Sequence, residues 1–186
     1  MKDCIELILN NSKSNPGNLC VIEGDAKITY GEFIDLVKRI ATYLRKNGYN
    51  KVLINMEQGI NSYAVIIAVV MAGGHYCPLS VDSPVERKIY IINEFKPDII
   101  VTQNNLALPP EKLQSFKQLL ISELITSNLN AYTLEELYNK TPGENAYIIY
   151  TSGSTGNPKG VIIRRESLNK FLEWSINEYK CSTEDK

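Results

Sequence analysis

Between Thr29 and Thr102, short apolar runs alternate with longer stretches whose apolar residues recur every three or four positions. Few folds satisfy that alternation. The longer spacing gathers side chains on one stripe of a helix. The short runs have no polar face, which suits parallel strands covered on both sides. The pattern therefore predicts an α/β fold with a largely parallel sheet flanked by helices.

The individual elements carry local signals. Residues 5–9 suggest a short helix ended by Asn15-Pro16-Gly17-Asn18, and residues 19–22 and 27–30 suggest two strands around Glu23-Gly24-Asp25. Thr29 and Glu32 are spaced as a capping box. Phe33, Val37, Ile40 and Leu44 then make one stripe, Arg45 and Lys46 complement the helix dipole, and Gly48 stops the helix. Lys51-Val52-Leu53-Ile54-Asn55 is a strand, residues 61–72 a buried helix closed by Gly73-Gly74, and residues 76–79 a strand. Ser83 is expected to cap the next helix, with Pro84 in its first turn and Glu86 completing a second capping box. Ile89, Ile92 and Phe95 give that helix its inner face, Pro97 stops it, and residues 98–102 form another strand. Residues 103–142 carry weaker signals: a short strand at 119–121 and a short helix at 134–138. Residues 146–150 read as a strand and 167–179 as a helix, with Phe171 and Trp174 expected on its packed face.

With 186 residues, 44% of them hydrophobic and 22% charged, the chain has the composition of one packed domain. Its net charge of −1 argues against a dedicated nucleic-acid binder. Cys4, Cys20, Cys77 and Cys181 form no C-x-x-C pair and lack the spacing of a zinc site or disulfide framework. Lys2, Asp3 and Glu6 do not suit a signal peptide, and the longest apolar run, Tyr63 to Ala72, is far short of the ~18–20 residues that span a bilayer. The expected location is the cytoplasm, with no membrane partner.

Chemistry concentrates after the strand at 146–150, in Thr151-Ser152-Gly153-Ser154-Thr155-Gly156-Asn157-Pro158-Lys159-Gly160. Glycines let a backbone approach a ligand closely, and successive exposed N–H groups make an anion-binding concavity. The hydroxyls add donors, and Lys159 adds a mobile positive charge suited to phosphate. The segment is not a Walker A loop, because Pro158 stands where that pattern needs its second glycine. It is neither G-x-G-x-x-G nor G-x-S-x-G.

The ordered run from Thr151 through Val161 resembles the phosphate-loop signature of adenylate-forming (AMP-binding) enzymes. Ile28-Thr29-Tyr30-Gly31-Glu32-Phe33, running on to Leu44-Arg45-Lys46-Asn47-Gly48, is similar to the first signature block of nonribosomal-peptide adenylation domains. Met71 through Leu79, followed by Ser83-Pro84-Val85-Glu86-Arg87, is similar to their second block. The stretch from Tyr147 to Trp174 also resembles D-alanine–carrier protein ligases. The resemblance implies an enzyme that joins a carboxylate to ATP, releases pyrophosphate, and passes the activated acid to a thiol. By that resemblance Thr151, Ser152, Gly153, Ser154, Thr155 and Gly156 would hold the β- and γ-phosphates of Mg2+-bound ATP, and Lys159 would help neutralise departing pyrophosphate.

The implied partners are ATP, a small carboxylic or amino acid, and a carrier protein; an acyl- or aryl-CoA ligase is the nearest enzymatic alternative. Family enzymes are more than twice this length. The sequence has no aromatic-Gly-Pro-Thr-Glu segment for adenine and metal, no Thr-Gly-Asp segment for ribose, and no C-terminal lid lysine. Residues 1–186 are therefore expected to be a partial adenylation domain, the N-terminal portion of its large subdomain. No catalytic residue is assigned, the isolated chain is expected to make no adenylate, and a sizeable apolar face is expected. Two alternatives are half of a split ligase that needs a complementary polypeptide, and a non-catalytic nucleotide- or protein-binding module.

Other candidates have plainer explanations. His75, the single histidine, is expected to pack. Asp82 and Glu86 suit turn and capping roles. Arg164 and Arg165 are expected to be solvated.

Overall fold

A computed structural model describes residues 3–106, 108–109, 116–126, 130–138, 143–152 and 157–180. Helix α1 (Cys4–Ser14) is capped by Asp3, whose carboxylate accepts from the Ile5 N–H at 2.9 Å. Strands β1 (Leu19–Glu23) and β2 (Ala26–Thr29) form an antiparallel hairpin. Helix α2 (Tyr30–Lys46) starts at the expected capping box: the Thr29 N–H and hydroxyl donate to Glu32 Oε2, and the Glu32 N–H donates to Thr29 Oγ1. Strand β3 (Lys51–Asn55), helix α3 (Ile60–Met71), strand β4 (His75–Pro78), helix α4 (Val85–Phe95) and strand β5 (Ile99–Thr102) follow. Beyond them lie β6 (Gln118–Leu120), α5 (Ile121–Thr126), α6 (Leu134–Tyr138), β7 (Asn145–Ser152), β8 (Pro158–Arg164) and α7 (Arg165–Glu178).

Among the described residues the main sheet has six strands in the order β6-β5-β3-β4-β7-β8. All neighbours are parallel except β7 and β8. From β3 the chain steps one way to β4, then back across β3 to β5. Crossovers of one hand must then place α3 and α4 on opposite faces. The burial follows. Val52, Ile54, Ile99 and Val101 join the side chains of α1, α2 and α3 on one face. Leu53 and Ile100, the alternate residues of the same strands, join Cys77, Ile91, Ile92 and Phe95 on the other. Period-2 alternation thus feeds two cores from one sheet. At the end of α3, Gly73 takes φ +87°, and a Cβ on Gly74 would sit 2.5 Å from the Asn50 carbonyl oxygen.

The sequence expectation for α4 needs correction. Its N-cap is Pro84, with no side-chain cap bond, so Ser83 and Glu86 do not form a capping box. Ser83 instead closes a turn, its N–H donating to the Ser80 carbonyl. Ile92 and Phe95 are buried as expected, but Ile89 is only half-buried; the inner face instead adds Ile91 and a lysine, Lys88, whose Nζ donates to the Val81 carbonyl at 2.7 Å. Lys96 ends the helix at φ +50° before Pro97 is reached. Among the described residues no helix is long and apolar enough to cross a membrane.

Candidate functional site

Five of the six described residues in the segment read as a loop are strand. β7 continues through Thr151 and Ser152, and β8 begins at Pro158, so Thr151 and Ser152 stand on one arm of an antiparallel hairpin and Lys159 on the other. Thr151 pairs with Lys159, and Ser152 with Pro158. Paired residues of an antiparallel ladder share a face. Thr151 and Lys159 therefore project from the same side, together with Ile149 and Val161 two positions back. Thr151, Ser152 and Lys159 are all exposed, and among the described residues Lys159 forms no ion pair. Gly153, Ser154, Thr155 and Gly156 lie outside the described residues. The Thr151 hydroxyl and the Lys159 ammonium, on one face, are donors suited to a phosphate oxygen, while Ser152, the next residue, stands on the opposite face.

The other face of the hairpin is braced. Tyr150 and Gly160 pair across it, and Tyr150 packs on the cluster around Cys77 and Ile91. Burial raises the Tyr150 phenol pKa and pushes the Cys77 thiol up to about 12, so that thiol is inert at neutral pH. Cys20 is also a free thiol. An Arg87 guanidinium N–H from α4 donates to the Tyr150 carbonyl at 3.0 Å. Nothing in the local sequence signals that bond, because the partners are 63 residues apart.

Three expectations outside the hairpin change or hold. Arg165 is not solvated: it is 7% exposed, its Nε and Nη2 donate to Asp3 Oδ2 at 2.8 and 2.7 Å, and its Nη1 donates to the Val70 carbonyl. Arg164 is exposed, as expected. Phe171 and Trp174 are not packed inward: they are 58% and 52% exposed and lie 5.9 Å apart, centroid to centroid. With Ile149, Val161, Ile176 and Tyr179 they leave an apolar surface on β7, β8 and α7. His75 does pack, edge-on to Phe95 at 5.8 Å, and burial, followed by the nearby Lys51 charge, lowers its pKa. Among the described residues no three His, Cys, Asp or Glu side chains gather where they could hold a metal.

A family model described as "AMP-binding enzyme" matches residues 9–186. Zwittermicin A synthase ZmaJ of Bacillus cereus is 31% identical over 193 residues, covering 100% of this chain and 35% of that protein. The D-alanine–D-alanyl carrier protein ligase of Staphylococcus haemolyticus is 32% identical over 188 residues, covering 99% of this chain and 37% of that protein. Vanchrobactin synthetase VabF of Vibrio anguillarum is 28% identical over 97% of this chain, which spans only 6% of it. The chain thus spans a minor part of each of these relatives. Among solved structures, the nonribosomal peptide synthetase FmoA3 in its AMPPNP-bound form superposes with a TM-score of 0.81 at 24% identity, over 98% of this chain and 19% of that one. VinN superposes with a TM-score of 0.83 at 18% identity, over 99% of this chain and 49% of that one.

Proposed function

The chain belongs to the AMP-binding enzyme family, and on that premise we propose that its β7–β8 hairpin grips the phosphates of ATP within a ligase that activates an amino acid as its adenylate for transfer to a carrier-protein thiol. The observation that carries this is the pairing of Thr151 with Lys159, which sets a hydroxyl and an ammonium side by side on an exposed hairpin arm. Each hydrogen bond to a charged phosphate oxygen contributes about 1.5–3 kcal/mol. Gly153, Ser154, Thr155 and Gly156, between those arms in sequence, would supply further donors. Mg2+ would enter with ATP, held chiefly by phosphate oxygens. Stabilisation of the departing pyrophosphate is then electrostatic, with Lys159 as its point charge. An amino acid is favoured over an acyl-CoA acid because relatives include peptide synthetases and a D-alanine carrier ligase.

Residues 1–186 would be part of an adenylation domain. The exposed Phe171, Trp174 and Tyr179, whose ring centroids lie 5.9 and 6.2 Å apart in succession, support this, since an exposed apolar patch marks an interface. Further adenylation-domain polypeptide would cover it, joined to this chain or supplied as a complementary polypeptide.

Titration with Mg-ATP, followed in amide 1H–15N spectra, tests the phosphate role. Shifts at Thr151, Ser152 and Lys159 are expected, and Lys159→Ala should weaken the response about tenfold. An equal response in that variant would overturn the role. Amino-acid-dependent ATP–pyrophosphate exchange by residues 1–186 alone would show instead that they suffice for adenylation.

A further inference from the structure

We propose that Arg87 is a positioning residue for the phosphate-binding hairpin: its guanidinium stands in for a strand that β7 lacks, and so fixes where Thr151, Ser152 and Lys159 are presented. The inference rests on the ATP-binding role above and adds a residue that touches no ligand.

The topology creates the need. β4 pairs with β7 at Tyr76 and Tyr147, and β4 ends at Pro78. Continuing that parallel register sets Tyr150 opposite Leu79, one residue past the end of β4. On its other side β7 has β8, which is the last strand of the sheet. Among the described residues the sheet from Tyr150 onward is therefore a two-stranded ribbon, and such ribbons are marginally stable alone. The Tyr150 carbonyl accepts the Arg87 bond at the point where the neighbouring strand has gone. A backbone acceptor left without a partner there would cost stability.

The brace has a second half. A Cβ on Gly160 would lie 3.2 Å from both Ile148 Cγ2 and Tyr150 Cζ. The Tyr150 ring thus covers Gly160 closely, and with Thr151 and Lys159 next in the ladder, that contact helps hold the register of the ligand-facing pair. α4 packs on the face opposite to Thr151 and Lys159, so Arg87 can hold the hairpin from behind without competing for phosphate. Ligand-binding geometry is sensitive at this scale: a 1 Å misplacement can cost about 100-fold in rate.

The test uses residues 1–186 as wild type, Arg87→Ala and Arg87→Lys. Amide hydrogen exchange and the Mg-ATP titration are read residue by residue. In Arg87→Ala, exchange at Thr151, Ser152, Lys159 and Val161 should quicken about tenfold, while Leu53, Ile100 and Val101 keep their protection. The apparent affinity for Mg-ATP should fall about fivefold, and Arg87→Lys, which can still donate to one carbonyl, should restore most of it. A purely structural role would speed exchange in the core as well, and that result would overturn the inference. So would unchanged hairpin exchange, or unchanged affinity, against a wild type that binds through Lys159. A wild type that shows no Lys159-dependent response would overturn the phosphate role itself, and the positioning role with it.

Discussion

Strands β3 and β5 are buried on both faces, whereas β7 and β8 expose most of their residues beyond Ile148. Both regions belong to one sheet, yet different forces hold them. At β3 and β5 each apolar side chain enters one of two apolar clusters, and burying a Leu or Ile contributes about 1.5–3 kcal/mol. At the hairpin, cross-strand bonds and a few long-range anchors carry the load: Arg87 on Tyr150, and the Arg165 N–H on the Glu144 carbonyl. The difference teaches where a ligand can be served. The interiors of β3 and β5 present no polar side chain to solvent, whereas the hairpin exposes Thr151, Ser152 and Lys159 beside its apolar residues.

Substitutions can break that contrast, beginning with the largest effect. Ile100→Ala should cost about 3–4 kcal/mol in urea unfolding, while Ile162→Ala, 55% exposed, should stay within about 0.5 kcal/mol. Similar losses at both sites would mean that the hairpin has a core of its own. Arg165→Ala should cost about 2–3 kcal/mol, because it removes the buried ion pair to Asp3 and the hydrogen bond to the Val70 carbonyl. Arg164→Ala beside it should be near neutral by thermal melting, and equal effects would place the anchor elsewhere. Gly160→Ala should cost about 1 kcal/mol, since Ile148 and Tyr150 must give way by a few tenths of an ångström. A neutral result would show that the ring over Gly160 is loosely held.

The smallest effects sharpen the contrast through pH. Hydrogen bonds from the Thr29 N–H and hydroxyl lower the Glu32 pKa below its ordinary 4.5. A depressed folded pKa stabilises above the unfolded value, and the contribution disappears as pH falls through the folded one. Thr29→Ala should therefore flatten part of the decline in melting temperature between about pH 5 and 3. Glu166 is lowered in the same direction, first by its hydrogen bond from Lys170, on the exposed surface of α7. Lys170→Ala should flatten the acid limb less than Thr29→Ala does, because salt and water screen that pair. A larger response at Lys170 would contradict the ranking.

Legibility in the sequence follows the same division. α2 could be read at both ends, because its capping box and its apolar stripe are local signals. The apolar runs of β3 and β5 likewise declared themselves as strands of a parallel sheet, without naming their neighbours. β8 did not, because Pro158, Lys159 and Gly160 are poor strand residues and its partner is fixed by pairing rather than by burial. Helical spacing found the stripe of Phe171 and Trp174 but carries no information on whether anything covers it. Arg165 looked like a solvated surface charge because its partner is 162 residues away. Residue order alone points to Thr151, Ser152 and Lys159 as candidates, whereas the Arg87 bond to the Tyr150 carbonyl emerges only from the topology that ends β4 before β7 does.

The Asp3–Arg165 pair has a consequence for the timing of biosynthesis. Asp3 caps α1, and the same carboxylate receives the Arg165 guanidinium. At about 5–20 residues per second, a ribosome takes roughly 8–30 s to make the chain between them. During that interval α1 has its own cap and its contacts with α2 and α3, but not its clasp. The earliest helix of the chain is thus among the last to be locked, and a nascent chain stalled before residue 165 should leave it open to a protease.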